Sequence, residues 1–308
     1  MTGAHASAPT PDYTAWVEPR LGTTQTRWLA FSSACRPFGL VNLSPDTRLE
    51  GDWGCGYAFD DDTILGFSHV HDWQIGALLV MPALGPVDPR GGPHAWASPF
   101  SHAEEVVRPG YHRVQLRRWG IAVELTATTR VGLHRCAFPA SREAAIVLDL
   151  ASALGPSAMG EAALRRLDPR RLEGSVVNLP TRRRPKPLRV YFALALDQDA
   201  TLAAYRAATP LGDVPGVDSE QLRARLDLGR PTGPVTLQVA VLATLPIRPH
   251  FLGISVPWCN QADTDGQRSQ HRSSTTDAPA APRHGPASSV PGRSRPRGQP
   301  RLASRASR

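Results

Sequence analysis

The chain has 308 residues, of which 41% are hydrophobic, so it is long enough to bury one large core or two ordinary ones. Its net charge is +8, but residues 246–308 carry ten arginines against three aspartates, which leaves only +1 for residues 1–245. Most of the charge therefore lies on a stretch with no fold signal, which argues against a nucleic-acid-binding protein. No window is apolar over enough residues to predict a membrane span.

The N-terminal residues 1–12 are small and polar, and we predict a disordered lead-in there. They have neither the basic nor the apolar region of a signal peptide, so we expect no export signal in this chain. Four widely spaced cysteines without a C-x-x-C pair argue against a zinc site and against a disulfide scaffold. Buried free thiols are the expectation.

The stretch from Trp53 to Gly85 is the densest in side chains that could contact a ligand. Its pattern predicts short elements joined by polar residues. In chain order these are strands at Gly56–Phe59 and Ile64–Phe67, a turn at Asp60–Asp62 between them, and a strand at Ile75–Met81 that Pro82 ends. Ser68 to Gln74 is then a loop between buried strands, the kind of place where binding groups lie.

From Tyr111 onward the pattern is that of strands. Ile121, Val123, Leu125 and Ala127 alternate with polar residues and predict one buried face, after a turn at Trp119-Gly120. Short strands separated by Gly and Pro turns indicate an all-β fold, an antiparallel β-sandwich over residues 13–245. Further strands are predicted at Ala144–Leu150, Leu188–Leu196 and Val235–Val241, and residues 157–187, rich in arginine, are predicted to be a solvated connection.

The composition changes after Pro246. Between residues 261 and 308 the only large apolar side chains are Val290 and Leu302, too few for a core. We therefore predict a disordered basic tail over residues 246–308. One interpretation is that the reading frame is lost near Ala243 to Pro249, and the other is a genuine basic tail that contacts acidic surfaces.

Five sequence blocks together resemble a known family. They are RPFGLVNLSPDT, GYAFDDDTILGFSHVH, SPFSHAEE, RPGY and ELTATTRVGLHRCAFP, in this order between residues 17 and 150. They are similar to the N-terminal domain of glycoside hydrolase family 92, the calcium-dependent exo-acting α-mannosidases. The resemblance is scattered over residues 151–245 and absent after Leu245.

The resemblance implies removal of a terminal α-mannose with inversion, in which a carboxylic acid and a carboxylate stand about 6.5–9.5 Å apart. It also implies a calcium ion that holds the sugar hydroxyls. In the family, these groups lie in a C-terminal helical-barrel domain that this chain lacks. We therefore expect no catalytic residue and no metal ligand here, with a mannose-containing glycan and the missing catalytic domain as partners.

The N-terminal domain of the family supplies part of the pocket wall, which corresponds here to Ser68, His69, His71, Asp72 and Trp73. A tryptophan face can stack on a sugar, while His and Asp can hydrogen-bond its hydroxyls. The sequence HDWQIG replaces the HLSGTG-like sequence of the family, which affects the expected linkage preference. Trp73 as a core aromatic and the histidines as satisfied loop residues are the alternatives, and the turn is favoured over a calcium loop at the aspartates.

Three functional hypotheses follow. The chain is the isolated N-terminal part of a family 92 mannosidase and inactive alone, or it is a carbohydrate-binding module that works by itself. The third, a basic-tailed nucleic-acid binder, is disfavoured by the location of the charge.

Overall fold

The described part of the chain consists mostly of strands in antiparallel sheets. The computed structural model describes residues 11–24, 34–50, 55–71, 75–140, 142–206, 209–212 and 216–243. All of them belong to one compact unit, residues 1–258. The predicted tail at 246–308, the proposed loss of frame and nearly all of the predicted N-terminal lead-in lie outside the described residues.

The first sheet has eight strands among the described residues, and every pair of neighbours is antiparallel. Strands are numbered in chain order. The spatial order in this sheet is β1 (Ala34–Cys35), β2 (Asn42–Asp46), β4 (Gly66–Val70), β5 (Gly76–Leu84), β11 (Ala144–Asp149), β18 (Leu222–Gly229), β15 (Thr201–Arg206) and β16 (Thr209–Gly212).

The second sheet has nine described strands, again antiparallel throughout. In spatial order they are β17 (Gly216–Glu220), β12 (Met159–Asp168), β13 (Arg171–Asn178), β14 (Leu188–Leu196), β19 (Val235–Ala243), β10 (Val131–Ala137), β9 (Ile121–Ala127), β8 (Tyr111–Leu116) and β7 (Val106–Arg108). The last described strand, β19, thus lies in the middle of this sheet between β14 and β10.

The remaining elements are short. They are the two-stranded pair β3 (Thr63–Ile64) and β6 (Ser98–Pro99), helix α1 (Pro93–Trp96), and 3-10 turns at Tyr13–Trp16, Pro89–Gly91 and His102–Glu104. The turn at Pro89–Gly91 lies against β11, β15 and β18. Within the described ranges, no helix is long and apolar enough to cross a membrane.

One apolar core lies between the two large sheets, and both contribute to it. On β9, buried and half-buried residues alternate along the whole strand, as predicted, because successive side chains point to opposite faces. β14 also begins and ends where the alternation predicts. The antiparallel β-sandwich is confirmed.

The predicted end of a strand at Pro82 is wrong, because β5 continues to Leu84. Pro82 pairs with Ile146 of β11, while on its other side the described pairing of β4 with β5 lies between Val80 and Gly76. Proline lacks an N–H to donate and is tolerated where one neighbouring strand is missing.

The predicted loop at residues 68–74 is wrong in its first half. β4 runs through Val70, so Ser68 and His69 are strand residues, and residues 72–74 lie outside the described part. The predicted strand at Gly56–Phe59 is reduced to an isolated bridge between Arg48 and Gly56, followed by a turn. The other short prediction, Ile64–Phe67, divides between β3 and β4.

Residues 157–187 are not a solvated connection, because they contain the hairpin of β12 and β13. Its inward side chains include Leu164, Leu172 and Val176, each at most 2% exposed. Arg165, one of the arginines that suggested a connection, lies on the opposite face, where it bonds to Glu173 across the hairpin. A cross-strand ion pair on a solvated face is normal for an antiparallel sheet.

Candidate functional site

The proposed pocket-wall residues cluster at the end of β4. Ser68 and His69 lie on the strand and His71 follows it, and all three are at most 3% exposed. Asp72 and Trp73 lie outside the described residues. The described part of the candidate site is therefore a set of buried polar side chains.

His71 is held by two acceptors on β2. Its Nδ1 lies 2.6 Å from the Asn42 carbonyl oxygen, and its Nε2 lies 2.7 Å from Asp46 Oδ1. A carbonyl oxygen can only accept, so Nδ1 carries a hydrogen and donates it to Asn42, while Nε2 lies within hydrogen-bond distance of the carboxylate. This Asp46–His71 pair fixes the chain at the point where residues 72–74 begin.

Ser68 Oγ lies 3.2 Å from the same His71 Nε2. In a hydrolytic triad, serine and aspartate contact opposite nitrogens of the imidazole, so that the ring can take a proton from one while the other orients it. Here Ser68 and Asp46 share one nitrogen, and a backbone carbonyl occupies the other. The arrangement therefore holds structure together and is unsuited to activating the serine.

These donors do not fit a calcium ion. Calcium takes six to eight oxygen ligands. Asp46 Oδ2, a buried oxygen without a hydrogen-bond partner in the described part of the chain, could supply only one of them. The nearby Cys55 thiol has its pKa raised to about 12, by burial and by the Asp46 charge. Across the described ranges, no group of three or more His, Cys, Asp or Glu side chains is placed to hold a metal.

His69 contacts a second histidine across the sandwich. Its Nε2 lies 2.9 Å from Nε2 of His134 on β10, and both rings are fully buried. His69 Nδ1 lies 3.1 Å from the Leu78 carbonyl oxygen of β5. Burial lowers the pKa of His69 to about 4 and that of His134 well below its ordinary value. This His69–His134 pair is therefore neutral at pH 7.

A cavity of about 260 Å³ opens beside His71. Both sheets line it, the first mainly through residues near the start of β2 and the end of β4, and the second through the ends of β14 and β19. Its walls are largely apolar, with Asn42 and His71 among the polar lining residues. Its full lining is Gly39, Leu40, Asn42, Val70, His71, Ile75, Leu188, Val190 and Ala243.

A second polar cluster surrounds the buried carboxylate of Glu105, and we call it the Glu105 network. Glu105 Oε1 accepts from His112 Nε2 at 2.7 Å, and Oε2 accepts from His102 Nδ1 at 2.8 Å and from the Tyr57 hydroxyl at 2.9 Å. His102 Nε2 also lies 2.7 Å from the Phe59 carbonyl oxygen, so both of its nitrogens face acceptors. An Arg20 nitrogen lies 3.9 Å from Oε2.

The donors set the charge of this network. Burial alone would raise the pKa of Glu105, but the hydrogen bonds from His112, His102 and Tyr57 outweigh it, so the pKa lies below its ordinary value. Burial and the adjacent Glu105 carboxylate raise the pKa of the Tyr57 hydroxyl. Glu105 is therefore an ionised acceptor that binds the Tyr57–Phe59 segment and residue 102 to β8.

Comparison with known proteins decides the family. Residues 16–241 match the glycosyl hydrolase family 92 N-terminal domain. The chain belongs to glycoside hydrolase family 92. No protein of curated function matches its sequence.

Solved family 92 structures have the same fold. A family 92 α-mannosidase from Bacteroides thetaiotaomicron is 25% identical over 74% of this chain, with a TM-score of 0.66. The structure of that enzyme with mannoimidazole matches at 24% identity, with a TM-score of 0.66, over 74% of this chain and 32% of that one. A family 92 inverting mannosidase from B. thetaiotaomicron VPI-5482 is 22% identical over 76% of this chain and 32% of its own, with a TM-score of 0.64. This chain spans about a third of the length of these relatives.

Several residues of the site were not anticipated from the sequence. Asp46 and His134 lie inside the blocks that resemble family 92, but nothing in a linear pattern pairs them with residues 25 and 65 positions away. The sequence feature that could have indicated such residues is a polar side chain at an inward position of an apolar strand, because a buried polar group needs a hydrogen-bond partner. His134 and His112 both fit that description.

Proposed function

We propose that this chain supplies part of the substrate pocket of an α-mannosidase that acts on terminal α-linked mannose of glycans, and that it is inactive without a separate catalytic domain. The single observation that carries the proposal is the family 92 match over residues 16–241 in a chain about a third as long as its solved relatives. The mannoimidazole complex of one relative supports mannose as the sugar recognised.

The buried carboxylates of the described residues support the absence of a catalytic pair. They are Asp46, Glu105 and Asp149. Asp149 accepts from two backbone amides and the Ser152 hydroxyl, and it pairs with Arg223, while the other two are bonded to histidines. An inverting glycosidase needs one carboxyl free to protonate the leaving oxygen and one free to activate water. The inverting reaction and the calcium ion belong, in this proposal, to the separate catalytic domain.

The pocket wall is proposed to be the segment that follows β4, with Asp72 and Trp73 contacting the sugar. The support from the described residues is positional. His71, held by Asp46, lies at one end of this segment and Ile75 at the other, and both His71 and Ile75 line the 260 Å³ cavity. Ser68, His69 and His71 are buried and hydrogen-bonded. In this proposal they position the wall.

The test is mannose release and mannose binding by the purified full chain. We expect no mannose from α-linked mannobiosides, with or without calcium. Turnover above a buffer blank that a chelator abolishes would contradict the proposal.

Binding separates the proposal from the alternative of an independent module. We expect no saturable binding of mannosides by the chain alone. Saturable binding that Trp73→Ala abolishes would favour the carbohydrate-binding module. Trp16→Ala is the matched control, because Trp16 is 82% exposed and lies outside the proposed wall.

A further inference from the structure

The His69–His134 pair is a polar contact between the two large sheets. His69 lies on β4 of the first sheet and His134 on β10 of the second, and both rings are 0% exposed. The two rings are tightly packed, because a Cβ added at Gly132 of β10 would lie 2.9 Å from His69 Cδ2. The Phe67 ring of β4 also lies edge-on to His134, with ring centroids 6.1 Å apart.

The positions of the hydrogens in the pair follow from its acceptors. His69 Nδ1 faces the Leu78 carbonyl oxygen and must donate, so in the neutral ring Nε2 is the acceptor. His134 Nε2 must then donate to it across the 2.9 Å contact. This leaves His134 Nδ1 as a buried acceptor, and it has no hydrogen-bond partner among the described residues.

An added proton has no favourable position in this pair. On His69 it would go to Nε2 and set two N–H groups against each other. On His134 it would go to Nδ1 and create a buried donor and a positive charge without a described acceptor. A buried charge without a partner is strongly unfavourable.

Among the described residues, no carboxylate is hydrogen-bonded to either ring of the pair. The titratable groups that face the pair are His71, which follows β4, and behind it Asp46 of β2, already bonded to His71. The residues paired with His134 on the neighbouring strands β9 and β19 are Leu125 and Leu237. β5 contributes the Leu78 carbonyl.

We propose that the His69–His134 pair is an acid-sensitive clasp, which joins the two sheets while both rings are neutral and weakens that junction when a proton is added to either ring. The device is independent of any sugar and of any catalytic domain. It makes the stability of the sandwich depend on pH in the mildly acidic range.

The direction of the pH dependence follows from the lowered pKa values. Each ring binds a proton near pH 6.5 when unfolded, but only near pH 4 in folded His69 and well below its ordinary value in folded His134. The stability from this pair is therefore complete above pH 6.5 and falls as the pH drops towards 4. Between pH 7 and pH 5, His69 alone raises the unfolding constant about 20-fold, and His134 raises it further in the same direction.

The experiment compares urea unfolding of the full chain at pH 7, 6 and 5 with that of the double variant His69→Leu/His134→Leu. The expected result is that the rise of the unfolding constant between pH 7 and pH 5 is smaller in the double variant than in the wild type by a factor of at least about 20. The control is His94→Gln, since this ring is exposed and its removal should leave the wild-type pH dependence in place. Parallel pH dependence of wild type and double variant would overturn the proposal.

A second measurement uses the wild-type chain, so it does not depend on whether the double variant folds. Long-range nitrogen–proton NMR spectra of the wild-type chain report which ring nitrogens carry hydrogen. We expect hydrogen on Nδ1 of His69 and on Nε2 of His134, with both rings neutral from pH 7 to pH 5 while the chain is folded. Imidazolium signals from either ring in the folded chain at pH 5.5 would contradict the clasp.

Discussion

The Glu105 network and the His69–His134 pair are two histidine clusters with different partners, because the first surrounds an ionised carboxylate and the second is a neutral pair of imidazoles. In the first, the Glu105 carboxylate accepts from His102, His112 and Tyr57, and both nitrogens of His102 face acceptors. In the second, the hydrogen-bond partners found among the described residues are the two imidazoles themselves and the Leu78 carbonyl oxygen. The comparison shows that its partners decide which charge state a buried group keeps, since three donors lower the pKa of buried Glu105, whereas burial without a carboxylate partner lowers the pKa of His69 and of His134.

The Asp46–His71 pair makes the same comparison within one segment. His69 and His71 are two residues apart and both are buried. His71 has a carboxylate at 2.7 Å, whereas His69 has a second imidazole at 2.9 Å. Two neighbouring buried histidines therefore have partners of different charge, a carboxylate for His71 and a neutral imidazole for His69.

Removal of the Glu105 carboxylate should have the largest effect. In Glu105→Gln, an amide faces the donors of His112, His102 and Tyr57, and we expect a loss of about 3–5 kcal/mol of unfolding free energy, as for a broken buried ion pair. Glu104→Gln is the matched control, since Glu104 is half-exposed and pairs at the surface with Arg117. Its effect should stay within about 0.5 kcal/mol. Urea denaturation measures both, and equal effects would contradict the assigned role of Glu105.

Asp46→Asn should have the next largest effect. The amide cannot supply the negative charge opposite His71, and a hydrogen bond to a charged group contributes about 1.5–3 kcal/mol. Asp199→Asn provides the comparison, because Asp199 pairs with Arg170 at an exposed site and should cost about 0–1 kcal/mol. Thermal and urea unfolding at pH 7 measure the difference, and a cost for Asp46→Asn no greater than that of the control would refute a structural Asp46–His71 pair.

A methyl group placed against the histidine pair should have the smallest effect of the three. In Gly132→Ala the new Cβ meets His69 Cδ2 at 2.9 Å and Leu43 Cδ2 at 3.3 Å, and overpacking of this kind costs about 1–3 kcal/mol. At Gly233 an added Cβ meets nothing within 4 Å, so Gly233→Ala should be close to neutral. If the melting temperatures of the two variants agree, the contact between the sheets is looser than these distances indicate.

The strands with one solvated face were predictable, because burial alternates along them with period two. β9 and β14 show this, and the sequence alone locates them. β5 is buried along its whole length, so its pattern carries no period, and the sequence predicts an end at Pro82 that the strand passes. The sequence does not predict the β12–β13 hairpin, because the arginine pairs 165–166 and 170–171 interrupt its apolar pattern and suggest a solvated connection.

The candidate site was only partly predictable. The sequence drew attention to His69 and His71 through their density of polar neighbours, but their partners Asp46 and His134 come from other strands. Strand pairing over long separations sets those contacts. A hydrophobic pattern fixes which face a side chain takes, and not which distant side chain it meets there.

The central position of β19 has a consequence for synthesis on the ribosome. β19 ends at Ala243, yet it pairs with β10, which ends at Ala137, so about 100 residues must be added before β10 gains this neighbour. At about 5–20 residues per second, β10 presents an open edge for roughly 5 s or more during translation, and β14, which ends at Leu196, for roughly 2 s or more. Open edges are templates for pairing with other chains. A nascent chain that stops short of β19 therefore leaves the second sheet as two unjoined halves, and the yield of folded protein depends on how quickly its last described strand arrives.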